Sequence, residues 1–181
     1  NEVMQSREPR TFELYYDPGG YWLQVRAYPT ADGGVEFYTR DITERKEREE
    51  ELRRMQRALD AAPIGIVITD PERDDNPVVY ANDAFCAMTG YDREAVLDRN
   101  CRFLQGEDTD SETVATIRDA VAAGDPVSVE LLNYRADGES FWNALDIAPV
   151  HDEDGVLRNW IGFQRDVSER RRLLERLRAL H

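Results

Sequence analysis

Short apolar runs, cut at intervals by Gly, Pro, Asp and Asn, set the rhythm of this chain. Runs of four to eight residues bounded by such breakers predict strands. Residues 10 to 41 read as three of them, punctuated by "DPGG" and "DGG" turns. Further on, "IGIVITD" and "PVVYAND" predict two short strands, followed by helical patterns in "AFCAMTGY" and "SETVATIRDAVAAG". The second of these carries Val114, Ile117 and Val121 on one face, and Gly124 stops it. Three longer strands close the series: "VSVELLNYR", "SFWNALDIAPV" and "LRNWIGFQRDV", with an Asp137-Gly138 turn joining the first two. Two strands, short helices and three antiparallel strands predict an α+β fold, a five-stranded antiparallel sheet with helices on one face.

Two stretches repeat one another. "YTRDITERKEREEELRRM" (38–55) and "FQRDVSERRRLLERLRAL" (163–180) both leave a strand through Asp-(Ile/Val)-(Thr/Ser)-Glu-Arg and enter a charged helix. Upstream, Tyr21-Trp22 and Tyr28-Pro29 echo Phe141-Trp142 and Ala148-Pro149. The chain therefore divides, as an expectation, into a truncated first module (1–41), a linker helix (42–60), a complete module (61–166) and a terminal linker helix (167–181). Each linker helix carries a sparse apolar seam: Leu52, Met55, Leu59 and Ala62 upstream; Leu174, Leu177 and His181 downstream. Spacings of three and four suit a short coiled coil and hence a homodimer.

Strand parity exposes a chemical oddity. Val127, Val129 and Leu131 share a face with Asn133; Phe141, Leu145 and Ile147 share one with Asn143; Trp160 and Gly162 share one with Gln164. Three carboxamides thus point among apolar neighbours on the helix-covered side. A buried amide without a partner costs about 1–3 kcal/mol. Separate bonds to loop backbone would satisfy them, and so would one flat ring edge with alternating carbonyl and N–H groups.

Charge narrows the classes. The 181 residues carry 37 acidic and 23 basic side chains, a net charge of −14, which disfavours nucleic acid and acidic membrane surfaces as partners. Lys46 is the only lysine among many arginines, a bias that fits a salt-saturated cytoplasm and a halophilic source. Two cysteines, Cys86 and Cys101, make no disulfide framework and point to a reducing, cytoplasmic setting. No apolar run reaches the length of a membrane span. Cys101 has no histidine nearby, since the chain holds only His151 and His181, so a Cys/His hydrolase is disfavoured and no enzyme is expected. Cys86, beside Phe85 and Met88, reads as inert core.

The run "NCRFLQGEDTD", with "GYDREAV" before it and "TIRDAV", "NYRADGESFWN" and "IGFQRDV" after it, resembles the light-oxygen-voltage (LOV) subgroup of PAS domains, from about Ala61 to Asp166. The resemblance implies a PAS fold and a blue-light photoreceptor in which Cys101 adds reversibly to a light-excited flavin. No base is needed, because the excited ring supplies the reactivity. It also implies flavin contacts from Asn100, Gln105, Asn133, Asn143 and Gln164, and phosphate contacts from Arg102 and Arg118. The implied pocket lining is Thr69, Asn76, Leu104, Ile117, Leu131, Leu145, Ile147 and Gly162. The loop after "FLQ" is short, which favours FMN over a dinucleotide. Asp98 departs from the pattern by standing where the family usually has glycine. Gln164, two residues before Asp166, is the expected signal switch, with Ser168 the expected helix cap. An output domain, a kinase or a regulator of the bacterio-opsin activator type, is expected outside this chain. The alternative is a PAS sensor or dimerisation module without photochemistry.

Overall fold

A computed structural model describes residues 8–179; His181, named above for the downstream seam, lies outside the described residues. The chain forms two compact units, one up to Arg57 and one from Ala58.

In the first unit, β1 (Arg10–Tyr16), β2 (Tyr21–Pro29) and β3 (Val35–Asp41) form an antiparallel meander. Its tight turns use Gly20 and Gly33, whose positive φ angles of 68° and 90° favour glycine. Helix α1 (Thr43–Asp60) follows. Ala62 falls beyond the end of α1, so the expected upstream seam is shorter than the heptad pattern suggested. Leu52 and Met55 are exposed on it.

The second unit holds β4 (Gly65–Thr69), β5 (Val78–Ala81), α2 (Asp83–Thr89), α3 (Arg93–Val96), a 3-10 turn (Cys101–Leu104), α4 (Ser111–Ala123), β6 (Val127–Tyr134), β7 (Ser140–His151), β8 (Leu157–Asp166) and α5 (Ser168–Arg178). Its sheet runs β5-β4-β8-β7-β6, antiparallel throughout. Local chemistry places the helices. The Asn82 side chain caps α2 by accepting from Phe85 N, and Asp110 caps α4 by accepting from Thr113 N. Helix α4 ends where Gly124 turns left-handed, with φ of 79°. Val67, Val78, Ala81, Phe85, Val96 and Leu104 form the core under α2 and α3.

Alternation does the rest. Pairing sets Leu131 opposite Asn143, Leu145 opposite Gln164 and Ile147 opposite Gly162. Because side chains on one sheet face recur every second residue, these residues form one continuous wall under α4 and the 3-10 turn.

Candidate functional site

Between the sheet and α4 lies a cavity of about 620 Å³, in the range of about 300–1,000 Å³ that small ligands occupy. Asn133, Asn143 and Gln164 stand on its wall, each buried. They are linked: Asn143 Nδ2 donates to Asn133 Oδ1 at 2.9 Å and to Gln164 Oε1 at 2.8 Å. Both donor hydrogens of Asn143 are thereby used, while its Oδ1 is buried without a partner. Asn82 shows what a structural amide looks like in the same unit. Its Oδ1 accepts from Ile66 N and Phe85 N, and its Nδ2 donates to the carbonyls of Leu59 and Ile64. Asn82 is complete; Asn143 is not. Among the described residues, the buried side-chain atoms left without a partner are Thr69 Oγ1, Asn76 Oδ1 and Asn143 Oδ1, and all three residues line this cavity. Each orphan costs about 1–3 kcal/mol in the absence of a partner. A ring edge with an N–H donor seated on the wall would satisfy Asn143 Oδ1. Gly162 keeps the floor low, since a Cβ there would come within 3.1 Å of Val67 Cγ2.

Cys101 opens the 3-10 turn that faces this wall. Protein surrounds it except toward the cavity, and burial pushes its thiol up to about 12, so it is neutral at physiological pH. A neutral, inert thiol is poor for nucleophilic attack from the ground state. Asn100 builds the turn: its Oδ1 accepts from Arg102 N at 3.0 Å, and its Nδ2 donates to Asp75 O at 2.6 Å. Asp98, just before it, has φ of 60°, the left-handed conformation that explains why glycine is usual at that place in the family.

At the mouth stand the arginines. Arg102 Nη1 binds both carboxylate oxygens of Asp75, at 2.7 and 2.5 Å. That pairing holds the Asp75 carboxyl below the usual carboxylate range. Arg118, on α4, is largely exposed and lies 3.7 Å from Asp119. Among the ion pairs of the described residues, neither arginine pairs with the "GEDTD" stretch; Arg102 is held across the mouth instead.

Every candidate residue named from the sequence lines this one cavity: Thr69, Asn76, Asn100, Cys101, Arg102, Leu104, Gln105, Ile117, Arg118, Leu131, Asn133, Asn143, Leu145, Ile147, Gly162 and Gln164. Cys86 lies away from it, packed against the core. Sequence reasoning did not assign Val67, Pro71, Arg73, Asp75 or Ala122 to the site, although they line it too. Pro71, Arg73 and Asp75 belong to the loop between β4 and β5, where no periodicity signals orientation.

At the far end of β8, Ser168 is the first residue of α5 and not its cap; Val167 holds the N-cap position, with no side-chain cap bond. Asp166 Oδ1 accepts from Ser168 N at 2.9 Å, and Ser168 Oγ instead accepts from Trp142 N at 2.9 Å. A serine already inside the first turn cannot reach its own N2 or N3 amide, which leaves its hydroxyl free for the neighbouring strand. Arg135 also reaches Asp166, and burial raises the Asp166 carboxyl less than Ser168 and Arg135 lower it.

Comparison with known proteins follows the same lines. The PAS domain family profile matches residues 63–169. A blue-light-activated histidine kinase of Erythrobacter litoralis is 50% identical over 106 residues, 59% of this chain and 29% of its own length. The bacterioopsin transcriptional activator of Halobacterium salinarum is 47% identical over 122 residues, 67% of this chain and 18% of its own length. The match thus spans under a third of either relative. A solved light-oxygen-voltage domain, studied with a flavin analogue, is 43% identical with a TM-score of 0.61, over 70% of this chain and 96% of its own. With that profile, those identities and a cavity facing a buried cysteine across three amides, the chain belongs to the PAS domain family and, within it, to the light-oxygen-voltage branch.

Proposed function

We propose that this chain is a blue-light sensing domain that holds FMN and forms a reversible bond between Cys101 and the flavin ring. The observation that carries the reading is the incomplete amide wall, with Asn143 Oδ1 unpartnered opposite the neutral thiol. A bound flavin, excited by blue light, supplies a ring carbon reactive toward a thiol and a neighbouring nitrogen basic enough to take its proton. The protein's part is arrangement. Asn133, Asn143 and Gln164 orient the ring edge, and Asn100 holds the turn that aims Cys101. Leu104, Leu131, Leu145 and Ile147 keep water from the thiol. Arg102 and Arg118 receive the terminal phosphate as charge-assisted forks.

Gln164 links the site to the output. Its amide both donates and accepts, so with a flavin bound it would answer a change at the ring edge by rotating. It lies two residues from Asp166, whose carboxylate holds Ser168 N at the start of α5. Exposed Leu173, Leu174 and Leu177 on α5 and Leu52 and Met55 on α1 support a homodimer through these helices. The kinase and activator relatives support an output region of one of those two kinds in the whole protein. Residues 1–41 are read as the last strands of a preceding PAS-like module, on the repeat described above. The test is direct: purified protein should be yellow, release a chromophore with the mass and absorbance of FMN, bleach under blue light and recover in the dark. A flavin-loaded protein that does not bleach reversibly would indicate a sensor without photochemistry.

A further inference from the structure

Two segments frame the mouth of the cavity: the loop from Asp70 to Pro77 and the turn from Asp98 to Leu104. They exchange charges reciprocally. The loop's Arg73 Nη2 donates to the turn's Asp98 Oδ1 at 2.7 Å, while the turn's Arg102 donates to the loop's Asp75. Both pairs sit in solvent, with side-chain exposures of 50% and 71% for Arg73 and Asp98, and 58% and 61% for Arg102 and Asp75. Exposed pairs of this kind are screened by water and salt and exchange partners readily. The backbone that presents the two carboxylates is unusual as well. Asp75 and Asp98 both adopt positive φ, at 66° and 60°, where residues bearing a Cβ are disfavoured. Arg73, Arg102 and Arg118 all line the cavity.

Building on the flavin reading above, we propose that Arg73 is a third arginine of the phosphate site, and that Asp75 and Asp98 are placeholders which a phosphorylated cofactor displaces. Loading is then an exchange. The phosphate takes the guanidinium groups of Arg73 and Arg102, and the two carboxylates turn to water. No atom is transferred; only hydrogen bonds change hands. A phosphate dianion outcompetes a single carboxylate for two forks because it offers more acceptor oxygens at higher charge. A neutral tail cannot displace either carboxylate, so the mouth selects for the phosphate and not for the ring.

Titrations of the full chain with FMN and with riboflavin, read by flavin fluorescence, test this without any use of light response. Arg73→Gln should weaken FMN roughly tenfold, the scale of one charge-assisted contact, and leave riboflavin unchanged. Asp98→Gly should tighten FMN severalfold, again with riboflavin unchanged, because Arg73 is released and the strained φ is relieved. Thermal unfolding of each apo variant checks that the mouth still folds. If Arg73→Gln leaves the FMN-to-riboflavin ratio as it was while Arg118→Gln lowers it, the third-arginine assignment is overturned and the flavin site stands. If no arginine variant alters the ratio, both the assignment and the phosphate reading are overturned.

Discussion

At Asp41 and again at Asp166 the chain leaves a strand for a helix through the same bonds. Asp41 Oδ1 accepts from Thr43 N, Thr43 Oγ1 accepts from Trp22 N, and Ile42 N donates to Trp22 O. The second junction repeats each bond with Asp166, Ser168, Trp142 and Val167. A cation five residues after each Asp lies over the same tryptophan: Lys46 at 5.1 Å from the Trp22 ring centre and Arg171 at 3.6 Å from that of Trp142. Each cation pairs with a glutamate on the next strand, Glu13 or Glu130. The strand faces, in contrast, have diverged at the polar positions, while Leu14, Val25 and Ala27 keep the apolar character of Leu131, Leu145 and Ile147. Register sets Tyr16, Leu23 and Thr39 of the first unit at the places of Asn133, Asn143 and Gln164 of the second. Phe37, an exposed side chain, stands at the place of Gly162, so the first unit has a bulky ring where the second has no side chain. The lesson is that the bonding of this strand-to-helix joint does not depend on which side chains the sheet face carries. One joint serves a face with three amides and a face with none at those places.

That contrast can be broken most severely at the amide wall. Asn143→Leu, which copies Leu23, should weaken flavin binding by roughly two orders of magnitude, since two hydrogen-bonded amides lose their donor and the ring edge loses a partner. Fluorescence titration reads it, and retained binding would show that the wall is not the ligand face. The reverse change, Leu23→Asn, should create no site, because Tyr16 and Thr39 still stand where the second unit has Asn133 and Gln164.

The next effect is chemical. Cys101→Ala should keep flavin and its fluorescence while abolishing dark-reverting bleaching, whereas Cys86→Ala should leave the photocycle intact. The same variant carries a pH signature. An ordinary thiol titrates near 9.0, and Cys101 near 12. Between those values the unfolded chain releases a proton that the folded chain keeps, so stability falls as pH rises through that window. Cys101→Ala should flatten that fall in denaturant titrations from pH 8 to 11.

A subtler change separates site from joint. Gln164→Leu should preserve bleaching but shrink the light-induced difference in hydrogen exchange across residues 166 to 178. An undiminished difference would remove Gln164 from the relay.

The smallest effect sharpens the comparison itself. Thr43→Ala and Ser168→Ala each delete the acceptor for a tryptophan amide, a loss of about 1 kcal/mol. Exchange of the Trp22 and Trp142 amides should accelerate by similar factors, about fivefold. A response at one junction alone would mean that the two joints share geometry but not energetics.

How much of this could be read in advance depended on the physics of each element. The strands, the repeat and the shared face of Asn133, Asn143 and Gln164 follow from alternation, a local property that every residue of a strand carries. The Asp-x-(Thr/Ser) joint was visible as a repeat, yet its wiring was not. Ser168 looked like a helix cap, and only the neighbouring strand, with Trp142 N seeking an acceptor, decided otherwise. The family motif around Cys101 marked the thiol, but its neutrality comes from burial by residues distant in sequence.

The sequence by itself determined which face of the sheet is chemically incomplete, because side-chain direction in a strand needs no knowledge of the partner strand. Tertiary structure alone decided how the mouth is closed. Arg73 meets Asp98 across 25 residues, and Asp75 meets Arg102 across 27. Such loop-to-turn pairings have no period to announce them, and they exist only once β4 and β5 have brought the two segments together.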